Sequence, residues 1–236
     1  MALAQNNKTS SFVAVWDLPL RLFHWLLVIA VFGAIGSAKS GQQFWHERFG
    51  LLVLGLVLFR LLWGIFGLKH ARFASFVRGP SALIGYIRDR MAGGRSYQPG
   101  HSPSGGWAVV AMLLVLLLMA VLGTMSNDDI LYEGPLAALV PQLTDEFSRW
   151  HHRLQFLVFL LVVLHLLAIL IYKKVLGIGL TKAMVTGRAT VDSQRRSPVT
   201  ETQQFSWSHQ LVGLILLGLC ILATQALSLV SPDRLF

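Results

Sequence analysis

The segment from Trp150 to Lys174 most constrains what this chain can fold into. It is an apolar run long enough to cross a bilayer, with His151 at its start and His165 inside it. Fourteen residues separate the two imidazoles, which on an α-helix is a rise of about 21 Å and a rotation about 40° short of four turns. Both side chains therefore face one side of the helix at different membrane depths. Because a neutral imidazole nitrogen binds iron and needs a partner in hydrocarbon, the spacing suggests two metal centres, one near each membrane surface.

The composition indicates an integral membrane protein. Of the 236 residues, 54% are hydrophobic and 13% are charged, against about 25% charged in a typical soluble domain. The net charge of +9 comes from basic residues in short loops between apolar runs, which is typical of membrane topology and not of a nucleic-acid-binding face. The single cysteine, Cys220, excludes an intramolecular disulfide and a cysteine-ligated iron–sulfur cluster within the chain.

The apolar runs predict an all-α protein with five membrane-spanning helices. A polar, disordered N-terminus is predicted at 1–11, a four-helix transmembrane core at 12–176, a basic cytoplasmic loop at 177–208, and a fifth transmembrane helix at 209–230. The spans of the core are predicted at 18–37, 46–66, 107–123 and 151–172. A signal peptide is the competing interpretation of the first span, and polar His24 and bulky Trp25 argue against it.

The loop charges predict one orientation. The loops after the second and fourth spans are basic, whereas the loop between the third and fourth spans is acidic. The positive-inside rule then places the N-terminus and both basic loops in the cytoplasm, with the acidic loop and the C-terminus outside.

This orientation sorts four histidines into two pairs by depth. His46 and His151 both begin helices that enter from outside, whereas His24 and His165 both lie towards the cytoplasmic side. Each pair comes from two different helices, which is the arrangement needed for two bis-histidine b-type haems stacked across a bilayer. His152 is an alternative to His151, and only the spacing to His165 favours His151.

Three further residues are candidates for binding a cofactor. Arg60 lies fourteen residues after His46 in an apolar span, and a buried guanidinium needs an anion, for which a cofactor carboxylate is a candidate. Arg21 is a second candidate for a haem propionate, or it extends to the membrane surface. His101 is expected to bond a propionate, to line a quinone pocket, or to stabilise a turn.

At these residues the sequence resembles the bacterial cytochrome b561 and nickel–iron hydrogenase b-type cytochrome family. The matching pieces are LRLFHW, FWHERFG with Arg60 downstream, GHSPSGG and RWHHRLQFLVFLLVVLHLLAIL, within residues 12–176. The resemblance implies a four-helix core in the bacterial inner membrane that binds two haems b and exchanges electrons with ubiquinone or menaquinone. It also implies that the iron ligands are His24, His46, His151 and His165. The fifth span is an addition to that core.

The function expected from the resemblance is electron relay between membrane quinone and a redox partner. The acidic outer loop favours a basic partner such as a c-type cytochrome on the periplasmic side. A superoxide:quinone oxidoreductase is one alternative, and a haem-bearing anchor subunit of a hydrogenase-like oxidoreductase is another. The chain has no nucleotide-binding glycine fingerprint and no nucleophile triad, so any enzyme activity is expected to be quinone-linked redox chemistry. Besides the lipid bilayer, a second copy in a homo-oligomer is a further candidate partner.

Overall fold

A computed structural model describes residues 11–69, 71–94, 100–127, 132–175, 177–191 and 205–229. Within these residues, five helices are long and apolar enough to cross a membrane, which confirms the predicted all-α membrane fold. The five are α1 (Leu18–Lys39), α2 (Gln43–Phe66), α5 (Pro103–Thr124), α6 (Thr144–Lys174) and α8 (Trp207–Leu227). Shorter elements are β1 (Ser11–Ala14), α3 (Phe73–Phe76), α4 (Pro80–Met91), α7 (Leu180–Thr186) and β2 (Arg188–Val191).

The long helices run up and down between two ends of a bundle. We call the end where α1 begins the near end and the end where it finishes the far end. The helices α1, α5 and α8 run from near to far, whereas α2 and α6 run from far to near.

Helix α2 is the centre of the bundle. It packs against α1, α5 and α8, and α6 packs against α5. In the most apolar stretch of 18 residues of each helix, 56% of the residues are buried in α2 and 6% are buried in α6. The α2 side chains Leu56, Val57 and Phe59 are completely buried. Much of α6 instead presents leucine, valine and isoleucine outwards, which suits contact with lipid tails.

The near end is closed by a small structure that joins distant parts of the chain. Strand β1 pairs antiparallel with β2, so that Ser11 faces Val191 and Ala14 faces Arg188. The backbone N–H groups of Val15 and Trp16 both donate to the carbonyl oxygen of Gly187, at 2.9 and 3.2 Å. The entry to α1 is therefore fixed to the segment that follows α6.

Several helices extend beyond the apolar runs. Helix α6 begins at Thr144, before the predicted start at 151, because its first two turns carry polar residues that hydropathy does not detect. Asp145 and Glu146 in its first turn and Lys173 and Lys174 in its last turn complement the helix dipole. The segment predicted as a loop at 177–208 contains α7 and β2. Residues 1–10 and 192–204, on which other predictions fall, lie outside the described residues.

Candidate functional site

The far pair consists of His46 and His151. His46 lies in the first turn of α2, and His151 lies in the second turn of α6. The two ring centroids are 6.0 Å apart and the ring planes are nearly perpendicular, at 88°. The bundle thus brings together two histidines that are more than 100 residues apart in sequence.

Both rings of the far pair are oriented by the main chain of a neighbouring helix. Nδ1 of His46 lies 2.9 Å from the carbonyl oxygen of Ala34 in α1. Nδ1 of His151 lies 2.9 Å from the carbonyl oxygen of Met119 in α5. A carbonyl oxygen only accepts, so Nδ1 carries the proton in each ring, and in a neutral imidazole Nε2 is then left as the electron-pair donor.

Two glycines provide the space around the far pair. A Cβ atom at Gly123 of α5 would lie 2.9 Å from Cε1 of His151, so a side chain there would displace the ring. A Cβ atom at Gly50, one turn after His46, would meet no atom within 4 Å. The α2 surface next to His46 therefore borders open space.

The near pair consists of His24 and His165. His24 lies in the second turn of α1, and His165 lies nine residues before the end of α6. Their ring centroids are 6.5 Å apart and their planes are inclined by 53°. Nδ1 of His24 is buried and has no hydrogen-bond partner among the described residues.

The structure distinguishes His151 from its neighbour. His151 is half-buried, faces His46 and bonds Met119, whereas His152 is exposed. The rings of His151 and His152 are 6.1 Å apart and point in different directions from α6. These contacts favour His151 as the member of the far pair.

Arg60 is a buried cation at the near end. It is 2% exposed, and both terminal nitrogens are buried without a hydrogen-bond partner among the described residues. Its guanidinium lies over the rings of Phe73 and Phe76, at 4.6 and 5.7 Å from their centroids. Cation–π contacts stabilise the charge but leave the N–H donors free for an anion.

Asp17 is a buried carboxylate in the same region. Its two oxygens accept hydrogen bonds from the N–H of Leu20, at 2.9 Å, and from Nε1 of Trp63, at 3.0 Å. Burial raises the pKa of Asp17, and these two bonds and the charges of Arg60 and Arg21 oppose that rise. Asp17 caps α1 and joins it to α2 through Trp63.

Arg21 and His101 lie at the near end as well. One terminal nitrogen of Arg21 donates to the carbonyl oxygen of Val185 at 2.7 Å. The ring of His101 lies 4.7 Å from Trp16 and 4.2 Å from Phe76 between centroids. Since Phe76 also contacts Arg60, His101 and Arg60 both lie beside the same aromatic ring.

No group of three or more histidine, cysteine, aspartate or glutamate side chains able to hold a metal ion occurs among the described residues. The candidate ligands His24 and His165, and His46 and His151, lie in two separate pairs. A metal held by two opposed imidazoles needs its other ligands from a non-protein group, as in a macrocycle.

A comparison with known families gives one match. The profile described as prokaryotic cytochrome b561 matches residues 15–187, nearly three quarters of the chain. The chain belongs to the prokaryotic cytochrome b561 family. A search of curated proteins and a search of solved structures each found no significant match.

Membership of the cytochrome b561 family defines the general function. The protein is a multi-pass membrane cytochrome that carries b-type haem and takes part in electron transport. The matched region includes α1 to α7 and both histidine pairs, and it ends before α8.

Some parts of this cytochrome's site are not detectable in the sequence. The carbonyl groups of Ala34 and Met119 orient the far pair, and every residue type carries such a group. The contact of Gly123 with His151 is equally invisible, because glycine is frequent in membrane helices. The hydrogen bond from Trp63 to Asp17 was not predicted either. Tryptophan is frequent at the membrane surface, so a tryptophan near the end of a span does not by itself indicate a bond to a carboxylate.

Proposed function

We propose that this cytochrome relays single electrons between membrane quinone and a redox partner through two b-type haems. The observation that carries the proposal is the presence of two facing histidine pairs, one towards each end of the bundle. The near pair, His24 and His165, would hold one haem, and the far pair, His46 and His151, would hold the other. The family implies b-type haem, and the presence of two histidine pairs supports two haems in each chain.

The spacing within each pair fits a metal centre between the rings. With about 2 Å for a metal–nitrogen bond and about 1 Å from the nitrogen to the ring centre, two opposed imidazole ligands have centroids about 6 Å apart. The measured separations are 6.0 Å in the far pair and 6.5 Å in the near pair. The open space beside Gly50 is available to the edge of a flat macrocycle.

The hydrogen bonds of the far pair fit ligation by Nε2. Donation of the Nδ1 proton to Ala34 and Met119 fixes the tautomer and ring orientation and raises the basicity of the ligating nitrogen. Bound haem would supply reversible one-electron chemistry at its iron. The chain's own residues would hold the macrocycle from both sides and exclude water from it.

Arg60 is the strongest candidate for a haem carboxylate. Its buried terminal nitrogens lack a partner among the described residues, and a buried guanidinium is costly without an anion. Arg21 is a weaker candidate, because one of its terminal nitrogens already binds Val185. His101 would contribute a ring nitrogen next to Phe76, towards a propionate or a quinone at the same end.

The charge distribution supports an orientation in the bacterial inner membrane. The described near-end residues include exposed cations, and the far end includes acidic residues. The cations are Lys69, Arg72, Arg78, Arg88, Lys173, Lys174, Lys182 and Arg188. By the positive-inside rule the near end and the N-terminus would be cytoplasmic, and the C-terminus periplasmic.

The far end would then meet a periplasmic redox partner. Glu133, Asp145 and Glu146 lie there, although Glu146 is paired with Arg149, and Asp128 and Asp129 lie outside the described residues. An acidic surface would attract the basic face of a c-type cytochrome, and quinone would exchange electrons from within the bilayer.

Haem stoichiometry and reducibility test the proposal. We expect detergent-purified protein to give two haems b per chain in a pyridine haemochrome assay, with both haems reduced by a quinol analogue. One haem per chain would mean that one pair is misassigned. No reduction by quinol would reject quinone as the partner and leave the haems to a different donor.

A further inference from the structure

Helix α8 lies outside the region matched to the family, yet it is fitted closely to the centre of the bundle. A Cβ atom at Gly55 of α2 would lie 2.5 Å from Oγ1 of Thr224 and 2.9 Å from the carbonyl oxygen of Cys220. A Cβ atom at Gly213 of α8 would lie 2.6 Å from Cγ of Pro19. The backbones of α2 and α8 therefore touch midway, and α8 touches α1 at the near end.

At the far end, α8 is bonded to the second turn of α2 through Gln225. Its Nε2 donates to the carbonyl oxygen of Arg48 at 2.9 Å, and a terminal nitrogen of Arg48 donates to its Oε1 at 3.4 Å. Arg48 is two residues after His46. Side-chain amides that hydrogen-bond across membrane helices hold those helices together.

At the near end, a second glutamine makes the corresponding contact with α1. Oε1 of Gln210 lies 3.4 Å from the backbone N–H of Leu18, the first residue of α1. This N–H has no partner within its own helix. Gln210 and Gln225 are fifteen residues apart, towards opposite ends of α8. At the near end α8 therefore contacts α1, which carries His24, and at the far end it contacts α2, which carries His46.

The orientation of His46 depends on the position of α2. Its Nδ1 proton is held by Ala34 of α1, so the ring is correctly turned only while α1 and α2 keep their register. The contact between Gln225 and Arg48 joins α8 to α2 within one turn of the histidine, and it thereby restrains the position of α2 on which this bond depends.

We propose that α8 is a positioning helix, in which Gln225 sets the orientation of the far pair and Gln210 supports the near pair. This inference rests on the proposed two-haem function.

The test compares the same substitution at the two ends of α8. Gln225→Met and Gln210→Met keep the side-chain length and remove the amide. The readouts are haem per chain, the low-spin electron paramagnetic resonance signals and the two midpoint potentials. His151→Ala and His165→Ala variants, each lacking one ligand, assign the signals to the far and near haems.

We expect Gln225→Met to keep two haems, to change the far-haem signal, and to shift the oxidised-to-reduced ratio of that haem about threefold, equivalent to about 30 mV for one electron. The near-haem signal should remain as in the wild type. Gln210→Met should show the reverse pattern.

Gln225→Glu serves as a second variant that preserves the shape. It keeps an acceptor for Arg48 and loses the N–H donor, so it should reproduce the far-haem shift. Unchanged signals in Gln225→Met and Gln225→Glu would overturn the inference, as would equal shifts at both haems. Absence of two haems from the wild-type protein would instead overturn the proposed function, so that the two failures are distinguishable.

Discussion

At the scale of single residues, hydrogen bonds to the main chain orient the two histidines of the far pair. His46 and His151 each donate one ring N–H to a carbonyl of an adjacent helix, and their ring centroids are 6.0 Å apart. An intramembrane histidine with only a structural role needs no such facing partner. Substitution of single histidines therefore tests which of them bind haem.

The adjacent histidines of α6 provide that test. We expect His151→Ala to lower the haem content from two to about one per chain, because the far haem loses one of two protein ligands. His152→Ala should keep both haems, since its side chain is exposed. Pyridine haemochrome analysis of both variants measures this. Haem loss in the His152 variant alone would reverse the assignment.

Arg60 should control the potential of the near haem. Replacement by glutamine removes a buried positive charge, and the more positive oxidised haem then becomes relatively more stable. We expect the near-haem midpoint potential to fall by about 60 mV, a tenfold change for one electron. Arg72→Gln, an exposed arginine at the same end, is the matched control. Equal potentials in the two variants would place the haem carboxylate elsewhere.

At the scale of elements, the beginning of α1 is joined to α2 by Asp17. Burial raises the pKa of this carboxyl group above its ordinary value of 3.8. Between the ordinary pKa and the raised pKa of Asp17, the folded protein holds a proton that the unfolded chain has already released. The free energy of unfolding therefore decreases as the pH rises through this window.

Asp17→Asn should remove this pH dependence. The variant keeps an oxygen for the Leu20 N–H but cannot accept from Trp63 as the carboxylate does. We expect its stability relative to the wild type to improve as the pH rises from the ordinary pKa of Asp17 through the raised one. Thermal unfolding in detergent at several pH values measures the difference. A constant difference across that window would contradict the prediction.

The surface helix α4 is tied to the end of α6 by tyrosine hydroxyls. The hydroxyl groups of Tyr86 and Tyr172 are 2.8 Å apart, and Nε of Arg90 donates to Tyr86 at 3.1 Å. Tyr172 also donates to Ser102, the N-cap of α5, at 3.2 Å. One polar cluster thus connects α4, α5 and α6 at the near end.

Tyr86→Phe should loosen α4 without affecting the haems. Losing one net hydrogen bond costs about 1 kcal/mol, or about fivefold in the population of the opened helix. We expect trypsin to cleave after Arg88 and Arg90 about fivefold faster. Tyr132→Phe is the control, because Tyr132 bonds Gly123 at the far end. If both variants were cleaved at the wild-type rate, the hydroxyl cluster would not hold α4.

At the scale of the whole molecule, α6 is the least buried of the five long helices. Among the described elements it packs closely against α5 and α7, and it reaches α1 and α2 through facing histidines. Helix α8 instead packs directly on α2. The bundle is therefore expected to consist of a protein-packed part and a haem-dependent part.

Haem removal should destabilise these two parts unequally. A ligand that binds only the folded state stabilises it by about 4 kcal/mol when present at a thousand times its dissociation constant. We expect the apoprotein to exchange amide hydrogens faster in α6, with much smaller changes in α8. Hydrogen exchange of the haem-loaded and haem-free forms measures this. Uniform loss of protection would indicate a single cooperative unit.

The sequence by itself determined the class of fold and the depth of the histidines. A hydrocarbon core requires long apolar helices, and helical rise converts sequence spacing into depth. The five spans followed from the apolar runs. The grouping of His24 with His165 and of His46 with His151 followed from helical rise together with the orientation that the loop charges predict. The polar beginning of α6 did not, because hydropathy detects only the part of a helix that lies in lipid.

Only the tertiary structure decided which groups orient the histidines and what the fifth helix contacts. The carbonyl groups of Ala34 and Met119 are bonded because neighbouring helices place them beside the rings. The contacts of Gln210 and Gln225 join residues that are 192 and 177 positions apart. Main-chain acceptors and close helix approaches leave no sequence pattern, because they depend on packing between helices and not on periodicity within one.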